Sequence, residues 1–198
     1  MHKHLLRRSK HGLLYLTEVR DEDDEGKARM SLKECFVGSV LSLGVLHNVN
    51  PSQRERDLRT ARSLTYTCVR FYLDSPIGVP SEMMEFGDDG VKVSTSTSYY
   101  RFSPELIESL YYLNQITGDP VYREWGWMIW KSIERETKTF YGYGNIEDVR
   151  SHGRIDDAIQ NSFYSGMMKY FFLLFKDEQV LDLMNQVITS ESHPLSVK

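Results

Sequence analysis

Apolar residues recur every three or four positions over much of the chain, a pattern typical of helices that bury one face. In the clearest example Leu58, Ala61, Leu64, Cys68 and then Phe71 or Tyr72 share one side of a long helix. The pattern predicts helices over residues 4–8, 30–46, 54–74, a hairpin 103–139, 155–175 and 177–188. The predicted fold class is therefore all-α, built from helical hairpins.

The stretches between these helices carry other patterns. Residues 13–19 are expected to be extended, and residues 18–29 are mostly charged and predict a solvated loop. Residues 82–100 are polar with alternating Val, Ser and Thr, so they predict a loop or a β-hairpin that caps the helical array. The Gly-rich stretch 140–154 is expected to be a long loop, and long loops often carry function.

The hairpin 103–139 carries the candidate chemistry. Ser103 is a favoured N-cap residue and Pro104 suits the first helical position. Glu105 and Glu108 follow three residues apart and are neighbours on one helix face. By spacing alone, the simpler interpretation is an ordinary hairpin whose acids favour the positive end of the helix dipole.

Composition narrows the class of protein. The chain has 198 residues with 40% apolar and 26% charged content, which suits one domain with a core. Its net charge of −4 gives no electrostatic footprint for nucleic acid. No apolar run approaches the ~18 residues of a membrane span, and the N-terminus shows no apolar segment of a signal peptide.

Two cysteines, Cys35 and Cys68, lie on neighbouring predicted helices. Their number alone favours two buried thiols in a reducing compartment.

Short motifs in series resemble the class I α-1,2-mannosidases, glycoside hydrolase family 47. The motifs inside the hairpin are Pro104-Glu105, Glu108-Ser109-Leu110, Thr117-Gly118-Asp119 and Trp125-Gly126-Trp127. Outside the hairpin they are His4-Leu5-Leu6, Cys35-Phe36, Leu41-Ser42-Leu43-Gly44, the run from Lys169 to Phe175, and Glu191-Ser192-His193-Pro194-Leu195. The resemblance runs along nearly the whole chain and corresponds to the C-terminal half of the family's catalytic domain.

The resemblance implies that residues 1–198 form a single partial domain of an (α/α) barrel. It implies an inverting, calcium-dependent mannosidase that trims high-mannose N-glycans in the lumen of the endoplasmic reticulum or Golgi. The expected partners are the high-mannose N-glycan and either a missing N-terminal half or a partner chain, since the family's acid and a further catalytic Asp lie upstream of residue 1.

The resemblance also assigns roles to residues. It places Glu105 as the catalytic base, and Glu82, Glu108 and Glu191 among the acids that line the sugar and calcium site. Ser190 takes the place of a Thr that binds calcium through its hydroxyl and carbonyl, and serine keeps both oxygens. It pairs Cys35 with Cys68 in a disulfide, because Cys35-Phe36 and Thr67-Cys68 match the family's bridged positions.

Several positions depart from the family pattern. Leu32 stands where the family has a His, Ser103 replaces an Arg, and Gly166 replaces a substrate-binding carboxylate. Ser162 replaces a sugar-stacking Phe, unless Phe163 takes that role. Three functions stay open: a mannosidase portion, a non-catalytic glycan-binding module, and a purely structural helical scaffold.

Overall fold

The computed structural model describes residues 4–17, 28–94, 96–152, 154–156, 158–189 and 193–196. Five α-helices form the body of this part of the chain: α1 Val37–Leu46, α2 Arg54–Asp74, α3 Glu105–Thr117, α4 Val121–Thr137 and α5 Lys169–Phe175. Short 3-10 helices, Leu32–Phe36 and Pro51–Gln53, precede α1 and α2, and a π-helical turn, Phe163–Met168, runs into α5. None of the described helices is long and apolar enough to cross a bilayer.

Small antiparallel sheets accompany the helices. Strands β1 Leu6–Arg8 and β2 Leu14–Leu16 pair, as do β6 Gln186–Ile188 and β7 Pro194–Ser196. A three-stranded sheet has the order β3–β4–β5, from Arg29–Ser31, Met83–Gly87 and Gly90–Val93. The structure thus agrees with a helical body and a small β region, including the expected hairpin within residues 82–100, although strands and loops make up more of the described chain than an all-α fold predicts.

Helix α3 is the centre of the packing. It contacts α1 on one side and α5 on the other, while α2 packs against α1 and α3, and α4 packs against α3 and α5. Its residues Ile107, Leu110 and Leu113 are fully buried, as is Ile129 of α4. This two-layer arrangement explains why apolar and aromatic residues surround most of α3, and it fixes the first turn of α3 firmly in place.

Two helix predictions were wrong, each at a place where local pairing competes with helix formation. Residues 4–8 contain strand β1, because Gly12 adopts a φ of +83° in the turn that leads to β2. Residues 177–188 form turns and strand β6, where Asp182 accepts a hydrogen bond from the Met184 backbone N–H. Such side chain–backbone bonds favour turns over helices.

Two other predicted helices begin later than expected. In the stretch 30–46, strand β3 and a 3-10 helix precede α1. In the stretch 155–175, Ile155 forms a β-bridge with Ile146, and the Asp156 carboxylate accepts a hydrogen bond from the Asn145 side chain. These contacts hold the start of the segment extended against the 140–154 loop.

The disulfide between Cys35 and Cys68 is present, with Cα atoms 6.0 Å apart. It joins the 3-10 helix before α1 to the middle of α2. The pairing implied by the family resemblance is therefore confirmed, and the alternative of two free thiols is excluded.

Candidate active site

A cleft of about 350 Å³ opens beside the start of α3. It collects residues from four separate parts of the chain. Its lining is polar and charged, and consists of Lys33, Glu82, Tyr99, Arg101, Phe102, Ser103, Pro104, Glu105, Gln160, Ser162, Ser165 and Gly166. Two of the acids expected at the site, Glu82 and Glu105, therefore lie in one cleft.

Glu105 is the first residue of α3, and its carboxylate is partly buried. Burial raises the pKa of Glu105, while a hydrogen bond donated by the Ser103 hydroxyl opposes that rise. Ser103 is not the N-cap as predicted, because the helix begins one residue later and Pro104 occupies the cap position. The Ser103 hydroxyl thus donates a hydrogen bond to the Glu105 carboxylate and does not cap a backbone amide of α3.

Glu82 reaches the cleft from the segment before β4. Its backbone N–H donates to the Tyr99 carbonyl at 3.0 Å, and its own carbonyl accepts from the Leu32 N–H at 3.0 Å. The Glu82 carboxylate lies 3.8 Å from the ammonium of Lys33. The negative charge of Glu82 raises the pKa of Glu105, and the Lys33 charge lowers it. The charges of Glu82 and Lys33 thus act on Glu105 in opposite directions.

Glu108 lies one turn further along α3, outside the lining of this cleft as far as the described residues show. Burial raises the pKa of Glu108 to about 7, although hydrogen bonds with the hydroxyls of Tyr170 and Ser39 lower it. A carboxyl group with such a pKa changes its charge near neutral pH, unlike an ordinary surface glutamate.

The raised pKa of Glu108 makes stability depend on pH. The folded pKa is about 7 and the unfolded value is about 4.3, so the folded state holds the proton more tightly. The stability that protonated Glu108 contributes is therefore complete below the unfolded pKa and is lost as the pH rises through about 7. We expect Glu108→Gln, measured with a chelator, to raise the free energy of unfolding at pH 8 by about 1–3 kcal/mol, with little change at pH 4.

Chemical denaturation at the two pH values measures this effect. Glu55→Gln is the matched control, since the Glu55 side chain is 89% exposed. An equal change in stability at both pH values for Glu108→Gln would contradict the assignment.

Ser109 ties the first turns of α3 to the segment before α1. Its hydroxyl donates to the Cys35 carbonyl at 2.7 Å and accepts from the Ser39 N–H at 2.8 Å. These two backbone groups lie where the 3-10 helix passes into α1, so one buried hydroxyl satisfies both. Gly38 allows the approach, because a Cβ there would lie 2.7 Å from the Ser109 oxygen. The disulfide-linked segment and the acidic turn of α3 are therefore held together.

The positions that depart from the family pattern are clearly placed. Leu32 is buried, and Gly166 lines the cleft. The Ser162 hydroxyl donates to the Phe102 carbonyl at 3.2 Å, at the cleft wall. Phe163 is 1% exposed and packs its ring 4.5 Å from that of Phe102. Phe163 is thus a core residue in this structure and does not replace the sugar-stacking Phe.

Two predicted site residues, Ser190 and Glu191, lie outside the described residues. Within the described ranges no group of three or more His, Cys, Asp and Glu side chains is arranged to hold a metal ion. The carboxylates of Glu82 and Glu105 are oxygen donors of the kind that calcium prefers.

Sequence reasoning missed the cationic and amide groups of the cleft, including Arg101, Lys33 and Gln160. A signal for Arg101 was present. The segment before α3 is extended, and alternate residues of an extended chain face the same side. Tyr99 and Arg101 therefore share the side on which Ser103 lies, two residues before Glu105.

Glycoside hydrolases use carboxyl groups in polar clefts as acids and bases, and the cleft beside α3 supplies two carboxylates, Glu82 and Glu105. A sequence profile described as glycosyl hydrolase family 47 matches residues 1–197. The chain belongs to this family.

Known proteins similar to this chain carry mannosidase names. It is 34% identical over 197 residues to the human mannosyl-oligosaccharide 1,2-alpha-mannosidase IC, covering 98% of this chain and 31% of that protein. It is 33% identical over 180 residues to the human endoplasmic reticulum mannosyl-oligosaccharide 1,2-alpha-mannosidase, covering 86% of this chain and 25% of that protein. The chain thus spans less than a third of the length of these curated relatives.

A solved structure shares the fold. The alpha-1,2-mannosidase from Trichoderma reesei superposes with a TM-score of 0.86 at 21% sequence identity. The match covers 98% of this chain and 44% of the solved chain.

Proposed function

We propose that this chain provides the base-bearing portion of an inverting α-1,2-mannosidase that trims high-mannose N-glycans. The observation that supports this most is the cleft that Glu105, at the start of α3, and Glu82 line together, where the charge of Glu82 acts on Glu105. The names of the similar proteins supply the substrate class.

Inversion needs a carboxylate that activates water and a separate acid that protonates the leaving oxygen. Glu105 suits the base, because burial brings its pKa closer to neutral and the Ser103 hydroxyl holds its carboxylate. The acid is proposed to come from polypeptide outside these 198 residues. Glu82, Glu108 and Glu191 are proposed to bind the sugar.

The fold is proposed to be part of an (α/α) barrel that further helices complete. Helices α1 and α5, which both contact α3, each carry an exposed apolar residue. Val40 of α1 is 51% exposed and Phe172 of α5 is 57% exposed. Exposed apolar patches at both ends suit burial by additional helices, in the same or a partner chain.

Calcium is proposed as the cofactor, with the hydroxyl and carbonyl of Ser190 among its ligands and the nearby acids balancing its charge. When bound, the ion would hold and polarise sugar hydroxyls. The disulfide supports a location in an oxidising lumen, that of the endoplasmic reticulum or Golgi.

A second function is a non-catalytic glycan-binding module. It is favoured by the small side chains Ser103, Ser162 and Gly166 in the cleft lining. Each widens the cleft without adding a charged group for the transition state.

A chimera tests between these functions. We expect the purified chain to bind a high-mannose oligosaccharide without cleaving it. Joined to the N-terminal portion of human mannosidase IC, it should release mannose, initially as the β-anomer by NMR, and a chelator should stop the release.

Three results would contradict the proposal. A folded chimera that binds the oligosaccharide without cleaving it would favour the binding module. Release of mannose by the chain alone would place the acid within these 198 residues. A folded chain without affinity for the oligosaccharide would favour the structural scaffold.

A further inference from the structure

The cleft has a cationic side that the proposed mannosidase chemistry does not use. In the extended segment before α3, Tyr100 and Phe102 are buried at 0% and 3% exposure. Tyr99 and Arg101 alternate with them, are more exposed, and line the cleft that Phe102 also borders. The backbone thus directs one aromatic ring and one guanidinium to the same side as Ser103.

Arg101 is held in place by an aromatic ring instead of a carboxylate. Its guanidinium carbon lies 5.1 Å from the centroid of the Tyr99 ring, a cation–π distance. Among the described residues it makes no ion pair, although Glu82 and Glu105 line the same cleft. The planar N–H groups of Arg101 therefore remain available to a ligand.

The two cations of the cleft, Lys33 and Arg101, have different partners. The charged side chains with the strongest effect on Glu105 are Glu82 and Lys33. The ammonium of Lys33 lies 3.8 Å from the Glu82 carboxylate, which partly neutralises its charge. Arg101 contributes the cation that has no such partner. The cleft lining also offers neutral hydrogen-bonding groups from Gln160, Ser162 and Ser165.

We propose that Arg101 binds an anionic substituent, a phosphate ester, on the mannoside that occupies this cleft. The guanidinium fork matches the paired oxygens of a phosphate and forms charge-assisted hydrogen bonds. The sugar hydroxyls then face Glu82 and Glu105, and the phosphate is bound by Arg101, whose guanidinium makes no ion pair within the described residues. This inference rests on the proposed function, because it assumes that the cleft holds a mannoside.

Calorimetric titration of the whole chain with mannose, mannose 6-phosphate and inorganic phosphate tests the inference. We expect mannose 6-phosphate to bind about tenfold or more tightly than mannose, with the difference shrinking as salt is added. Arg101→Gln should remove most of the difference, while Arg101→Lys, which keeps the charge but loses the fork, should retain part of it. Arg59→Gln is the matched control, since Arg59 is exposed on α2 and pairs with Glu55.

The other outcomes separate the two proposals. Equal binding of mannose and mannose 6-phosphate would overturn the inference and leave the proposed function standing. So would a preference for the phosphate ester that survives in Arg101→Gln. Inorganic phosphate binding as tightly as mannose 6-phosphate would show an anion site without sugar recognition, which also overturns the inference. Failure of all three to bind would contradict the proposed function itself.

Discussion

Replacing Cys35 and Cys68 together with serine is expected to lower the melting temperature by about 6–16 °C. The bridge joins residues 33 apart in sequence, and closing a loop of that length in the unfolded chain stabilises the native state by about 3–4 kcal/mol. For a chain of this size each kcal/mol corresponds to roughly 2–4 °C. Calorimetry or circular dichroism measures the shift.

Reduction provides an internal control for the disulfide prediction. A reductant should lower the melting temperature of the unmodified protein to that of the double variant and leave the variant unchanged. Loss of the disulfide should also loosen the first turns of α3, because Ser109 on α3 donates a hydrogen bond to the carbonyl of Cys35. A melting temperature that is insensitive to reductant would contradict the stabilising role of the bridge.

The long helix α2 shows what the sequence pattern could establish. Both of its ends and its buried positions Ala61, Leu64 and Cys68 agree with the prediction. Its apolar residues recur over 21 positions, so burial of one face outweighs any local alternative. The segment 177–188 is much shorter than α2, and the hydrogen bonds that Asp182 accepts decide its local structure.

The candidate site was predictable to a lesser degree. Glu105 and Glu108 stand out because a helix start brings them together. Glu82 belongs to a distant segment, and periodicity alone cannot bring it to α3; the family resemblance was needed to name it. Arg101 lies in no helix or strand, so the only sequence signal for it is the alternation of an extended segment, which the Tyr100–Ile146 bridge holds in place.

Glu105→Gln is expected to reduce mannose release by about a thousandfold or more, since an amide cannot take a proton from water and general bases contribute ~10²–10⁴-fold. The affinity for the oligosaccharide should stay within a few-fold, because glutamine keeps the size of the side chain and one acceptor oxygen. Turnover and binding are measured on the chimera that releases mannose. Glu124→Gln is the matched control, since Glu124 lies in the first turn of α4 and is not part of the cleft lining described above.

Ser103→Ala tests the same role without removing the carboxylate. The Ser103 hydrogen bond lowers the pKa of Glu105, so its loss should raise that pKa further. A base must be ionised to act, and the acid limb of the pH–rate profile should therefore move to higher pH while the rate at high pH changes little. Unchanged turnover in Glu105→Gln, or an acid limb that stays in place in Ser103→Ala while Glu105→Gln is inactive, would assign the base to another residue. The first result would exclude Glu105 directly, and the second would mean that the titrating group is not the carboxylate to which Ser103 donates.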